Sequence, residues 1–242
     1  MNIVGKTDRG LVRQHNEDAC AFGYFDDGVK WSLVCDGMGG IHGGRIASSI
    51  ATDMIAEKIK KCYCKTMPVS SLENLLLSAI VTANVAVYDR GSVDEDLRGM
   101  GTTVVAAVMK NNEACIAHVG DSRAYKISNG EIEQVTKDHS LVQEMLDNGQ
   151  ITREEFETAQ IKNIITRALG IGEEVDIDFD FVCINENEAL LLCSDGLSGY
   201  VSDSQILETY LNNDFESLAD RYIDLANANG GRDNITVVIM KG

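Results

Sequence analysis

One pattern recurs along the chain and limits what it can fold into: an apolar strand that stops at an aspartate beside glycine or another small polar residue. It stands as Leu33-Val34-Cys35-Asp36-Gly37, as Ala117-His118-Val119-Gly120-Asp121-Ser122 and as Leu191-Leu192-Cys193-Ser194-Asp195-Gly196. Gly230-Gly231-Arg232-Asp233-Asn234 is a mirror version placed just before a strand, and Asn16-Glu17-Asp18 directly precedes another. A single Asp-Gly is ordinary turn chemistry, because Asp bonds its own backbone and Gly takes positive φ. Five carboxylate clusters at strand ends, spread over the whole chain, point further. Strands that share one sandwich can bring such ends to one mouth.

Carboxylates that converge repel one another and raise each other's pKa unless a cation neutralises them. All-oxygen ligands suit hard cations such as Mg²⁺ or Mn²⁺. The four histidines, His15, His42, His118 and His139, are dispersed along the sequence, so no His/Cys ligand set competes. Two hard cations bridged by a carboxylate lower the pKa of a water and clamp the oxygens of an in-line phosphoryl displacement. Arg13, four residues before Glu17, is the candidate for holding the remaining phosphate oxygens, since a guanidinium binds phosphate bidentately.

The order of elements suits such a mouth. Short strands are predicted over 3–6 and 19–25, and a firmer one over 31–35, ended by Asp36-Gly37. Helical spacing follows at 46–59 and again from about 71 to 88, with a loop at 91–98. β-branched runs at 102–109, 113–119 and 123–127 are separated by Asn111-Asn112 and Asn129-Gly130, the second a strong hairpin signal. A polar insert carries short helices at 141–146 and 152–158, the latter opened by a Thr152/Glu155 capping box. Strands at 176–183 and 189–193, helices at 203–211 and 215–226, and a strand at 235–240 complete the chain. This is not regular βαβ alternation; it predicts an α+β layered fold with antiparallel sheets and helix pairs packed outside them.

With 242 residues, one proline and no linker or repeat, a single domain over 1–242 is expected. The 38 acidic residues against 21 basic ones give a net charge of −17, which argues against nucleic-acid binding and against attachment to an anionic membrane. The longest apolar runs, such as 104–109, are too short to span a bilayer. Cys35, Cys115, Cys183 and Cys193 sit inside apolar runs and read as buried thiols, and a reducing cytoplasm is the simplest compartment.

Seven blocks in order carry a family resemblance. They are Asp8-Arg9-Gly10-Leu11-Val12-Arg13 with Asn16-Glu17-Asp18, Asp36-Gly37-Met38-Gly39-Gly40, Gly99-Met100-Gly101-Thr102-Thr103, His118-Val119-Gly120-Asp121-Ser122-Arg123, Thr136-Lys137-Asp138-His139-Ser140, Ser194-Asp195-Gly196-Leu197 and Gly231-Arg232-Asp233-Asn234-Ile235-Thr236. Together they resemble the metal-dependent type 2C protein Ser/Thr phosphatases in their compact bacterial form. The resemblance implies a four-layer αββα sandwich with two central, mainly antiparallel sheets and a Mn²⁺ or Mg²⁺ pair between them.

Carried onto this chain, the resemblance makes Asp36 the bridge between two metals and the Gly37 carbonyl a ligand. Asp195 and Asp233 would hold the first metal and Glu17 the second through water. Asp121 would help hold a third, weaker metal, and Asp18 would support the network. Arg13 would grip the substrate phosphate, and 141–170 resembles the family's flap. The implied reaction is hydrolysis of protein phosphoserine and phosphothreonine by a metal-bridging hydroxide, without a phosphoenzyme. The implied setting is a cytoplasmic monomer acting on phosphorylated proteins opposite a Ser/Thr protein kinase.

Met38 stands where eukaryotic members place a histidine, Ile41 and His42 where bacterial relatives have a histidine after the glycines, and Arg45 where they have glutamate. The alternatives are a catalytically silent binding protein and a regulatory phosphatase devoted to one partner. A silent member would be expected to lose an aspartate ligand, and none is lost. The glycine run 37–44 lacks the endings of nucleotide-binding loops, and no Cys has an Arg six residues on, as a cysteine phosphatase would need.

Overall fold

The computed structural model describes residues 2–40, 42–159 and 164–242. In chain order the strands and helices are β1 (Ile3–Asp8), β2 (Asp18–Tyr24), β3 (Lys30–Met38), α1 (Gly43–Cys62), α2 (Leu72–Val93), β4 (Gly101–Thr102), β5 (Val104–Lys110), β6 (Glu113–Val119), β7 (Arg123–Ser128), β8 (Glu131–Gln134), α3 (Leu141–Asp147), α4 (Arg153–Thr158), β9 (Asp178–Cys183), β10 (Ala189–Cys193), α5 (Asp195–Ser198), α6 (Asp203–Asn212), α7 (Leu218–Ala228) and β11 (Ile235–Lys241).

Two antiparallel sheets stack face to face. One runs β1-β11-β10-β7-β8; the other runs β2-β3-β5-β6-β9, with β4 paired to β3. The strand sequences are continuous apolar runs because both faces of each sheet are covered. Alternation assigns each residue to a layer. Leu190, Leu192, Val238, Val34 and Val105 fill the space between the sheets. Leu191, Val237 and Tyr125 face α6 and α7. Leu33, Val104 and Ala106 face α1 and α2. This is the expected four-layer αββα arrangement.

The hairpin signals hold. Asn111 and Asn112 both take positive φ, as do Asn129 and Gly130, which is the backbone of a tight two-residue hairpin turn. The Thr152/Glu155 capping box forms on α4 with both of its hydrogen bonds.

Several boundaries differ from the sequence expectation. β3 does not end at Asp36-Gly37; it continues to Met38, because Gly37 and Met38 pair with Thr102 and Gly101 from far along the chain. α2 runs past Gly91 to Val93: the glycine is a close-approach point where a Cβ would meet the Leu97 carbonyl at 3.2 Å, not a stop. Cys183 is exposed, since β9 is an edge strand with one solvated face, while Cys35, Cys115 and Cys193 are buried as expected. Residues 69–93 are long and apolar enough to cross a membrane by length and composition alone. Here the face bearing Leu72, Leu76, Ile80 and Val87 packs into the core. Ile41 and residues 160–163 of the insert lie outside the described residues.

Candidate metal centre and active site

The site is built where the two sheets part. β2 and β3 pair with Asp18 directly opposite Asp36, so the two carboxyls project from one face as cross-strand neighbours. The Asp36 backbone is pinned on both sides: its N–H donates to Thr103 Oγ1 at 3.0 Å, and its carbonyl accepts from the Thr103 N–H and Thr102 Oγ1 at 2.8 Å. Thr103 Oγ1 in turn lies 2.7 Å from Ser122 Oγ, next to Asp121. Gly37 is required by crowding. A Cβ there would sit 2.1 Å from the Gly44 carbonyl oxygen and 2.5 Å from that of Glu17. The N-terminus of α1 is therefore pressed against β3, and the Arg45 N–H reaches the Glu17 carboxylate. The first turn of α1 has no acidic residue of its own, so Glu17 supplies the negative charge its dipole favours.

The result is a cleft of about 360 Å³ whose walls include Arg13, Glu17, Asp36, Gly37, Asp121, Asp195 and Asp233. These are all the residues singled out from sequence except Asp18. Asp18 sits behind the wall, 8% exposed. Its Oδ2 accepts hydrogen bonds from Ser194 Oγ and Thr236 Oγ1, both at 2.7 Å. Its Oδ1 has no partner, and neither does the buried Oδ1 of Asp195.

Charge crowding is visible in every carboxyl of the group whose titration is displaced. Burial, then the neighbouring Asp18, pushes Asp36 well above the usual carboxylate range. Burial, reinforced by Asp195, pushes Asp121 up to about 7. Burial also takes Asp18 to about 7 against the easing effect of Thr236 and Ser194. Asp195 rises to about 6 through burial and Asp233, eased by a hydrogen bond with Asp36. Glu17 is raised by burial. The guanidinium of Arg13 is 2.8 Å from Asp233 Oδ2. Partial burial opposes its charge, but Asp233 outweighs that and holds it above its ordinary value.

Residues 10–237 match the family described as Protein phosphatase 2C. The chain belongs to that family. The serine/threonine phosphatase stp of Listeria monocytogenes is 38% identical over 242 residues, covering all of this chain and 96% of the relative. The crystal structure of the serine/threonine phosphatase Stp1 from Staphylococcus aureus superposes with a TM-score of 0.92 at 35% identity, covering 99% of this chain and 94% of that one. The catalytic domain of the serine threonine protein phosphatase PstP, solved in complex with two manganese ions, gives 0.85 at 36% identity, covering 99% and 96%.

The type 2C family works with Mn²⁺ or Mg²⁺, and the residues present here fit such ions. The donor set is all oxygen, two buried carboxylate oxygens lack a partner, and carboxyls raised by burial and by mutual repulsion gain from a cation between them.

Three side chains quoted only as parts of motifs prove to hold this type 2C site together. Asn234 is 4% exposed. Its Oδ1 accepts the Glu17 N–H at 2.8 Å, and its Nδ2 donates to the Arg9 and His15 carbonyls at 2.9 Å, so it fixes both ends of the loop bearing Arg13. Ser194 and Thr236 fix Asp18, as above. The available signal was a polar residue at or next to the end of an apolar strand, Ser194 after β10, Asn234 just before β11 and Thr236 at its start.

The histidines are not all dispersed in space. His118 and His139 stack with ring centroids 4.6 Å apart, and His139 Nε2 lies 3.2 Å from Asp178 Oδ2. By donor type this trio could hold a metal. Its hydrogen bonds say otherwise. The Gly120 N–H donates to His139 Nδ1, which leaves the ring proton on Nε2, and Arg167 Nη1 donates to Asp178 Oδ1 at 2.9 Å. Burial, then His118, keeps the pKa of His139 below its ordinary value. The trio braces Gly120, next to Asp121.

Proposed function

We propose that the cleft between the two sheets is the catalytic centre of a metal-dependent protein serine/threonine phosphatase. The chain's enzyme class follows from its family; the residue assignments are the reading that the geometry supports best. The observation that carries it is the convergence of five acids from five separate chain segments on one mouth, with a sixth, Asp18, behind its wall, buried carboxylate oxygens left unpaired and one guanidinium among them.

Asp36 would be the ligand shared by two cations, with the Gly37 carbonyl beside it. Asp195 and Asp233 would hold the first cation and Glu17 would belong to the second, while Asp121 would serve a third, weaker position. When bound, hard divalent ions supply a water of lowered pKa and neutralise the oxygens of the transferring phosphoryl group. Arg13 orients the phosphate: it stands at the cleft wall, half exposed, with its guanidinium already aligned by Asp233. Thr102 and Thr103 keep the Asp36 backbone from shifting as charge changes, and Ser194 and Thr236 hold Asp18 so that its charge supports the ligands from behind. Met38 offers no proton, so the leaving alcohol takes its proton from water in the cleft. Substrates are phosphorylated proteins.

By this reading residues 1–242 form one catalytic unit, with 141–170 as a flap beside the cleft. The enzyme acts as a cytoplasmic monomer opposite a Ser/Thr protein kinase, without inserting α2 in a membrane. The test is hydrolysis of an aryl phosphate and a phosphothreonine peptide with Mn²⁺, with EDTA, and by Asp195→Ala. Activity is expected only with metal and intact Asp195. An inert wild type, or a fully active Asp195→Ala protein, sinks the proposal.

A further inference from the structure

Beyond the chemical centre, the mouth of the cleft has apolar lips. Of the twelve large apolar side chains exposed among the described residues, four stand there. Leu11 and Val12 are 66% and 64% exposed, immediately before Arg13. Their backbone is tied to the segment that leads into β11: the Leu11 and Val12 N–H groups both donate to the Gly231 carbonyl, at 2.7 and 3.1 Å. This lip belongs to the sheet containing β1 and β11. The facing lip belongs to the other sheet and the base of the insert. Ile171 is 52% exposed, and its Cδ1 and the Cε of Met38 lie 2.9 and 3.0 Å from the same point, the Cβ position of Gly101. Ile171 and Met38 thus both lie over Gly101; Met38 lines the cleft, and Ile165 lines it too, with Ile164 half exposed beside it.

Neither lip is free to collapse inward. Thr102 and Leu169 exchange both backbone hydrogen bonds, at 3.1 and 2.8 Å. Asn84 holds the segment around Ile171 by accepting the Gly170 N–H and donating to the Gly172 and Glu173 carbonyls. Water-exposed apolar side chains held rigidly on both sides of a polar cleft are the arrangement that binds an extended segment through its flanks.

We infer that the enzyme selects phosphorylated segments carrying apolar residues on both sides of the phosphoresidue, which seat against Leu11 and Val12 on one lip and Met38, Ile165 and Ile171 on the other. The occupant is a segment of the substrate protein because the lips are continuous with the catalytic mouth. The chain's charge of −17 disfavours acidic flanks in the same way. This inference rests on the phosphatase reading of the cleft.

The experiment compares phosphothreonine peptides flanked by Leu and Val, by Ser and Gly, or by Glu, each against an aryl phosphate, which has no flanks. The apolar peptide is expected to exceed the Ser/Gly peptide by about tenfold in kcat/KM, the size of effect an open apolar contact gives. The Leu11→Ser/Val12→Ser and Ile171→Ser proteins should each lose most of that ratio. Equal kcat/KM across the peptides, with the aryl phosphate turned over normally, overturns the inference and leaves the phosphatase reading standing. So does a preference that survives both variants. Variants that turn a dimer into a monomer, judged by sedimentation, without changing the peptide ratio would assign the lips to a second copy of the chain instead. No Mn²⁺-dependent turnover of the aryl phosphate removes both readings.

Discussion

Two groups of metal-type side chains lie on neighbouring parts of this molecule, and they differ in what their lone pairs are doing. In the cleft, Asp18 and Asp195 each keep a buried oxygen with no partner, and burial with mutual repulsion drives Asp36, Asp121, Asp18 and Asp195 upward. In the trio of His118, His139 and Asp178 only His118 Nδ1 is buried without a partner, and the other two groups are engaged. His139 Nδ1 accepts the Gly120 N–H, and Asp178 is shared between His139 and Arg167. In the first group the one guanidinium, Arg13, bonds Asp233 alone, whereas in the second Arg167 bonds the trio's single carboxylate. Ligand type and proximity alone would rank the histidine trio first. The balance of satisfied and orphaned donors reverses that ranking, because an unpaired buried carboxylate oxygen costs far more than a paired one.

The largest test of this contrast is Asp36→Asn. Removing the shared ligand should lower Mn²⁺-dependent phosphatase activity by roughly 10³-fold, since bound metal contributes several kcal/mol and each 1.36 kcal/mol is tenfold. Metal itself should act on stability with a definite sign. The acids of the cleft have folded-state pKa values above those of an unfolded chain. Their stabilising contribution is therefore full at low pH and lost as pH rises, across about pH 4 to 7 for values near 6 and 7. The metal-free protein should melt lower at pH 8 than at pH 5, and Mn²⁺ should raise the melting temperature more at pH 8. A melting temperature that climbs with pH in EDTA would contradict the crowding.

How much of this could be read from the chain depended on whether a cause was local. The strands, the turn at Asn129-Gly130 and the cap at Thr152 follow from alternation, positive φ and side-chain geometry within a few residues. The acids were legible because an aspartate at the end of an apolar strand is visible wherever it occurs. What holds them was not. Asn234 bonds to Arg9, His15 and Glu17 more than two hundred residues away, and β3 outruns its apolar segment because of Thr102 and Gly101. The pairing of His118 with His139 arises because β6 and the segment after β8 meet at Gly120, a juxtaposition with no sequence signature.

A middle-sized test separates ligands from their support. Asp18→Asn keeps an acceptor for Ser194 and Thr236 but removes the charge behind the cleft. Activity should fall about tenfold, within the range for groups that orient ligands from outside the coordination sphere. At pH 8, where the raised Asp18 carboxyl is ionised, the metal-free protein should become more stable, read by denaturant unfolding in EDTA. Loss of activity equal to that of Asp36→Asn would make Asp18 a direct ligand. Asn234→Ala should act on binding more than on turnover. It frees the Glu17 N–H and two loop carbonyls at a cost of about 1–3 kcal/mol of stability, and KM for a phosphopeptide should rise as the Arg13 loop loosens.

The smallest effect should come from Arg167→Ala, and it examines the other half of the contrast. The guanidinium is over a third exposed and its pairing with Asp178 is half in solvent, so its loss should cost no more than about 1 kcal/mol in denaturant unfolding. Phosphatase activity should stay within about twofold, because His139 keeps both of its backbone contacts to Gly120: its Nδ1 accepts the Gly120 N–H, and its own N–H donates to the Gly120 carbonyl. With the positive charge gone, His118, His139 and Asp178 would present two imidazoles and a carboxylate to a soft or borderline ion. The Gly120 N–H still occupies the His139 Nδ1 lone pair, which keeps the proton on Nε2, the atom facing Asp178. A metal could bind there only by breaking that bond and turning the ring within a buried stack. Titration calorimetry with Zn²⁺ should therefore show the Arg167→Ala protein binding no more tightly than the parent. A new tight Zn²⁺ site would mean that the trio is a metal centre plugged by arginine, and that hydrogen-bond balance does not separate the two groups.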